Sequence, residues 1–272
     1  MTKWHDRGKG GESVHIYVLL KRTFDPEEDI IIDDGGEILD DGVEYIINPY
    51  DEYAIEEAIK QREIHGGEVT VITVGPLECE GQLRTALAMG ADRGVLIEAY
   101  DELPVGDAET TVQILEKYFT NEPVDLILAG NVSIDEGSGQ LPPRLAAVLN
   151  IPYVTSIIGL DIDENHSVTI EKDVEGDVEI IETSIPLLVS CQQGLNEPRY
   201  PSLPGIMKAK RKPLDVISLD DLSMDQETLR PKTVTKEIFL LPEKDKGQIL
   251  KGSVDEQVEQ LMDLLKNKHK VI

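Results

Sequence analysis

The chain has 272 residues, 40% hydrophobic and 29% charged, the make-up of a globule with a real core rather than of a disordered chain. At ~150 residues per domain it holds one large domain or two small ones. Its 53 Asp and Glu against 26 Lys and Arg give a formal charge of −27, which excludes nucleic-acid backbones and anionic membrane surfaces as partners, because both would repel it.

Residues 1–14 are polar, lack the apolar centre of a signal peptide and read as a disordered lead. His15-Ile-Tyr-Val-Leu-Leu is an apolar run closed by Lys21-Arg22 and the Asp25-Pro26 turn, the pattern of a buried strand. Residues 29–33 and 43–47 are strand-like and flank an acidic Gly-Gly turn, which predicts a hairpin between them. Asn48 then caps a helix, with Pro49 at its first position and Asp51 three residues after the cap, and Gly66-Gly67 ends it. Strands over 69–74, 94–97 and 124–129 alternate with helices over 82–89, 110–119 and 141–149. That alternation predicts βαβ crossovers and a Rossmann-like, mostly parallel sheet covered by helices on both faces. Beyond Pro152, residues 156–162, 167–174 and 178–183 predict an antiparallel β meander, and 186–191 a last core strand. Residues 194–213 are compact and turn-rich. From Leu214 the chain turns acidic and irregular, with one amphipathic helix over 254–266, so residues 214–272 read as an arm that packs on something else. The α/β nucleotide-binding domain accordingly spans 15–213.

Two segments stand out as functional. The first is Gly130-Asn131-Val132-Ser133-Ile134-Asp135-Glu136-Gly137-Ser138-Gly139-Gln140, placed between a parallel strand and a helix. Ligands of open α/β sheets bind at the carboxyl ends of strands, where backbone N–H groups and helix N-termini favour phosphate. The glycines allow close backbone approach, and Ser133, Ser138 and Gln140 offer neutral hydrogen-bonding groups. The turns at Asn48–Asp51 and after Val74 belong at the same edge, and together the three suggest an adenine-nucleotide pocket. A plain Gly-rich capping turn remains open as the alternative.

The second is Gly194-Leu-Asn-Glu-Pro-Arg-Tyr-Pro-Ser-Leu-Pro-Gly-Ile-Met-Lys-Ala-Lys-Arg-Lys-Pro213, where prolines stiffen the chain around Leu203 and Lys208 to Lys212 form a basic island. One apolar side chain ringed by charge suits protein docking. Leu203 buried in the chain's own core is the competing reading.

No catalytic triad, carboxylate pair or metal set is evident, so catalytic and metal residues are none. Cys79 and Cys191 make no disulfide framework, no apolar run reaches the ~18 residues of a membrane span, and a cytoplasmic location is expected. If the chain handles electrons, a cofactor must carry them.

These segments resemble the β subunits of electron transfer flavoproteins. The likeness rests on Val18-Leu-Leu-Lys-Arg22, Asn48-Pro-Tyr-Asp-Glu-Tyr-Ala-Ile-Glu-Glu57, Arg84-Thr-Ala-Leu-Ala-Met-Gly-Ala-Asp-Arg93, the Gly130–Gln140 turn and Leu195-Asn-Glu-Pro-Arg-Tyr-Pro-Ser-Leu-Pro-Gly-Ile-Met-Lys-Ala-Lys210. The resemblance implies an adenine nucleotide alpha hydrolase-like fold and an αβ heterodimer. Such a heterodimer takes electrons from acyl-CoA and related flavin dehydrogenases, as in fatty acid β-oxidation. It passes them to the respiratory chain through an ETF-quinone oxidoreductase or equivalent acceptor. FAD would lie mainly on the α subunit and AMP on this one. AMP would contact Leu19, Asn48, Pro49, Tyr50, Asp51, Val74 and the run from Gly130 to Leu141. The docking loop would present Arg199, Tyr200, Leu203, Pro204, Ile206, Met207 and Lys208, with Leu203 as anchor, and the arm would wrap the α subunit. Two alternatives stand: a second FAD in place of AMP, as in electron-bifurcating members, or an ATP-binding or ATP-hydrolysing protein on the same fold. Against the latter, the chain lacks an SGGxDS-type loop and has no lysine within Gly130–Gln140.

Overall fold

The apolar run at the start becomes β1 (His15–Leu19), an inner strand of a nine-stranded sheet in the computed structural model, which describes residues 14–33, 35–39, 42–99, 107–225, 229–242 and 247–272. The lead therefore lies outside the described residues except for Val14, which is buried. Parallel partners flank β1: β6 (Glu68–Gly75) on one side and β8 (Leu126–Gly130) on the other. Helix α1 (Pro49–His65) precedes β6, and α2 (Glu80–Met89) leads from β6 to β7 (Arg93–Glu98). Helix α3 (Ala108–Phe119) precedes β8, and α4 (Leu141–Leu149) leads to β9 (Tyr153–Ile162). Strands β9, β10 (Ser167–Val174) and β11 (Asp177–Ser184) form the antiparallel meander, and β12 (Leu187–Cys191) lies parallel between β8 and β9.

Period-2 alternation sorts the sheet's side chains between two cores. Ile16, Val18 and Leu20 join Ala54, Ile55, Ala58 and Ile59 of α1 and Leu83 and Leu87 of α2 in one buried cluster. Tyr17 and Leu19 join Val112, Leu115 and Phe119 of α3 and Leu145 and Leu149 of α4 in the other. Helices thus cover both faces, as a buried parallel sheet requires.

Three expectations are corrected. Residues 29–33 do not pair with 43–47. The Gly-Gly turn closes a tighter hairpin, β3 (Ile31–Ile32) with β4 (Ile38–Leu39), while β5 (Tyr45–Ile47) pairs with β2 (Arg22–Phe24). Side-chain chemistry favours that partner: Phe24 packs on Tyr45 with centroids 4.8 Å apart, and the Arg22 guanidinium lies 3.5 Å from the Tyr45 ring centre. Second, Leu214 does not begin an irregular arm: β13 (Leu214–Ser218) is the sheet's edge strand, parallel to β7, with Arg93 and Asp215 paired at 2.6 Å. Third, the stretch expected as a proline-stiffened loop contains a short helix, α5 (Leu203–Ala209).

The described residues divide into two compact units, one made of 14–30 and 42–235 and the other of 31–39 and 236–272. A boundary between the units falls at 235/236. In the second unit, Asp33 Oδ1 accepts the Gly35 and Glu37 N–H groups at the β3–β4 turn. Helix α6 (Val254–Asp263) starts with a capping box in which the Ser253 N–H donates to Glu256 Oε2 at 2.7 Å. Its Val254, Val258 and Leu261, spaced i, i+4, i+7, are all exposed, so the apolar stripe of this helix faces water.

Candidate functional site

The chain lays β1, β6 and β7 successively toward one edge, then crosses back to place β8 on the other side of β1. Such a reversal opens a crevice outside the carboxyl ends of the two central strands. Three segments converge there: Lys21 after β1, Asn48 to Asp51 at the entry to α1, and the Gly130–Leu141 connection between β8 and α4.

Asp51 is the hub. Its buried carboxylate accepts the Lys21 N–H at 2.7 Å, the Gly130 N–H at 3.0 Å and the Asn48 amide at 3.0 Å. Burial nevertheless pushes its carboxyl up to about 7, the three donors only partly opposing the loss of water. Gly130 is glycine for want of room: a Cβ there would collide with Asp51 Oδ1 and come within 2.8 Å of Tyr50 Cβ and 3.0 Å of Asn48 Nδ2. Asn48 does not cap α1 through its side chain as expected. Its amide instead spans the crevice, donating to the Val132 carbonyl at 3.0 Å and accepting the Ile134 N–H at 3.2 Å. Pro49, at the first helical position, forfeits no needed N–H.

The loop itself is braced at several points. Gly137 donates to the Ser133 carbonyl at 2.8 Å, and Gly137 and Gly139 sit at φ +62° and +58°, the left-handed region that favours glycine. Asn131 Oδ1 accepts the Thr155 and Ser190 hydroxyls at 2.9 and 3.2 Å, and Tyr153 reaches Ser190 at 2.9 Å. Arg144 holds the Gln140 side-chain carbonyl at 2.7 Å and Glu109 at 3.2 Å. Pro142 and Pro143 carry no N–H, so the opening of α4 presents only the backbone donors of Gly139, Gln140 and Leu141. Leu19 is buried, and Val74 and Leu141 pack half-buried on the same cluster. Ile134 and Ser138 are exposed on the loop.

Sequence reasoning missed Lys21. No lysine lies within the turn, yet this one reaches it from β1: its ammonium contacts Glu136 at 2.7 Å, Asp135 at 3.0 Å and Ser133 Oγ at 3.4 Å. The signal was a lysine directly after a strand that ends at the crevice. Asp135 and Glu136 alone would repel an anion, and the shared ammonium offsets one of their two charges. Backbone donors at a helix start and neutral hydroxyls fit a nucleoside phosphate, with the acidic pair drawn aside onto Lys21. Among the described residues no His, Cys, Asp and Glu group could hold a metal ion. Cys79 and Cys191 are buried free thiols that burial pushes above their usual range.

The docking segment is held at its base and bare at its tip. Arg199 grips the buried Glu56 of α1 from Nε at 2.7 Å and Nη2 at 3.0 Å, and Glu63 from Nη1 at 2.9 Å. It therefore staples the base of the segment to α1. Arg84 of α2 donates to the Ala209 and Lys212 carbonyls at 3.0 and 3.1 Å. Ser202 caps α5 through Oγ, which accepts the Gly205 N–H at 3.1 Å. Above this base Leu203 is 80% exposed, with Tyr200, Pro204, Ile206, Met207 and Lys208 exposed around it. The reading of Leu203 as a core residue is thereby excluded. No helix among the described residues is long and apolar enough to cross a membrane.

The model of the electron transfer flavoprotein domain matches residues 36–222. The electron transfer flavoprotein subunit beta of Bacillus subtilis is 56% identical over 259 residues, covering 95% of this chain and all of that protein. The subunit of the same name from Syntrophomonas wolfei is 40% identical over 74% of this chain and 79% of its own length. The human one is 33% identical over 93% and 97%.

Proposed function

Because the chain belongs to the electron transfer flavoprotein β-subunit family, a family of electron carriers, we propose that it pairs with an α subunit and binds AMP in the β1–β8 crevice. In this reading FAD sits mainly on the α subunit and supplies the redox chemistry, while this chain contributes binding and orientation alone. The convergence of Lys21, Asn48, Asp51 and Gly130 on one crevice at the strand reversal is the observation that carries the assignment. Leu19, Val74 and Leu141 offer the apolar wall for an adenine ring, and the Gly139 to Leu141 N–H groups face a phosphate at the start of α4.

The exposed Leu203 on a braced helix, next to Lys208, Lys210 and Arg211, is the surface offered to acyl-CoA and related flavin dehydrogenases. An apolar anchor on a rigid support suits brief, fast contacts, because little order is lost on docking. A quinone oxidoreductase or equivalent acceptor then takes the electrons onward. Purifying the heterodimer and counting its nucleotides tests this directly: one FAD and one AMP are expected. Two FAD would assign the crevice to a second flavin, as in bifurcating members, and ATP hydrolysis by the chain without a partner would overturn the reading.

A further inference from the structure

Lys21 ties the other two walls of the crevice together. Its N–H donates to Asp51 at 2.7 Å and its carbonyl accepts the Asn48 N–H at 2.9 Å, so its backbone is welded to the α1 entry. From that fixed origin its ammonium crosses to the opposite wall and holds Ser133, Asp135 and Glu136. The side chain of Asp135 is only 24% exposed and that of Lys21 38%, so the contact is partly shielded from solvent. Asp135 also accepts the Glu136 N–H at 2.8 Å, which pre-orients its carboxylate toward the lysine.

We propose that Lys21 is a positioning residue that latches the Gly130–Leu141 loop shut over the bound nucleotide, acting through Asp135 and Glu136 rather than on the ligand itself. The inference rests on the nucleotide reading of the crevice. The geometry supports a latch because the loop tip has few other ties: the nearest ones hold Asn131, Val132 and Ile134 on one side and Gln140 on the other. Between them, among the described residues, the Gly137–Ser133 and Glu136–Asp135 bonds close the tip on itself and join it to nothing else. The latch also explains why two carboxylates stand in a loop whose other groups suit an anion. They are the receiving half of the latch, and the lysine cancels one of their two charges. Lone surface ion pairs contribute little, but one ammonium shared by two carboxylates makes two contacts for the ordering of a single lysine side chain.

The test uses the heterodimer loaded with radiolabelled AMP and chased with unlabelled AMP, with hydrogen exchange of the loop peptides read in parallel. Lys21→Met should release AMP about 3- to 10-fold faster, the size expected of a modest charged contact, and exchange faster over residues 133–138. Lys21→Arg should restore both. Asp135→Asn with Glu136→Gln should reproduce the Met variant, and the triple variant should add nothing further. A wild-type release rate in Lys21→Met overturns the latch. So does tighter AMP binding in the Asp135, Glu136 variant, which would mean that the lysine serves the phosphate directly. If the wild type holds no AMP, the nucleotide reading fails by itself, and the exchange experiment still decides: unchanged loop exchange in Lys21→Met refutes the latch.

Discussion

Gly130→Ala probes the crevice with a single methyl group. The new Cβ overlaps Asp51 Oδ1 and lies 2.8 Å from Tyr50 Cβ and 3.0 Å from Asn48 Nδ2. None of the three can step aside cheaply: Asp51 is buried and fixed by three donors, Asn48 is tied to Val132 and Ile134, and Tyr50 is contacted at its Cβ, next to the backbone of α1. Overpacking of this kind costs about 1–3 kcal/mol, and relief by pushing Asp51 away sacrifices a charged hydrogen bond of about 1.5–3 kcal/mol. The two routes are alternatives and the cheaper one sets the loss, so about 2–3 kcal/mol is expected. For a domain of this size that lowers Tm by about 4–12 °C. A thermal melt of the heterodimer reads the shift, and nucleotide analysis reads the site: occupancy should fall with Tm. Gly137→Ala is the control, since nothing lies within 4 Å of its Cβ and only its φ of +62° is unfavourable. That conformational cost is about 1–2 kcal/mol, and Gly137→Asn should largely escape it. A Gly130→Ala protein melting within about 2 °C of wild type with full occupancy would refute the packing argument.

Leu203→Ala should slow reduction of the heterodimer by its dehydrogenase, costing docking about 1–3 kcal/mol, with FAD content unchanged; unaltered reduction kinetics would remove Leu203 from the interface. Arg199→Ala strands the buried Glu56 carboxylate and should cost about 3 kcal/mol, seen as a lower Tm and faster proteolysis of residues 194–213. Arg199→Lys should rescue little, because an ammonium cannot reproduce the two-pronged grip on Glu56. Asp51 holds its proton more tightly folded than unfolded, so it stabilises the protein fully below the ordinary carboxylate range of ~4. That contribution fades as pH rises to about 7. The Tm advantage of wild type over Asp51→Asn should therefore shrink between pH 4 and 7, and a gap that stays flat or widens would contradict the assignment.

The parallel core was legible because its signals are local: apolar runs of strand length, Gly66 and Gly90 as stops, and Pro142-Pro143 opening α4 over the same residues the structure shows. The pairing of β2 with β5 was not, because it depends on Phe24 and Arg22 meeting Tyr45 across some twenty residues, which spacing does not encode. β13 escaped notice for a related reason. An edge strand is covered on one side only, so Leu214-Asp-Val-Ile-Ser218 lacks the apolar density of a central strand. At the crevice, glycines and hydroxyls advertised a loop, but the role of Asn48 was hidden. Its position before Pro49 reads as a cap, and only the fold brings Val132 and Ile134 within reach of its amide. Lys21 was hidden likewise, its partners lying over a hundred residues away. The bond from Arg199 to Glu56 was hidden too, because its partner lies 143 residues away in sequence.

Phe239, Leu240, Leu241 and Ile249 face water along with the Val254–Val258–Leu261 stripe. A cell that made this polypeptide in surplus would accumulate copies with greasy tails, prone to clump or to be captured by chaperones and degraded. Mutual repulsion from a formal charge of −27 slows such clumping without hiding the tails. Output matched one-for-one to whatever covers them is the economical remedy, and abundance of this chain should track the supply of that companion rather than its own rate of synthesis.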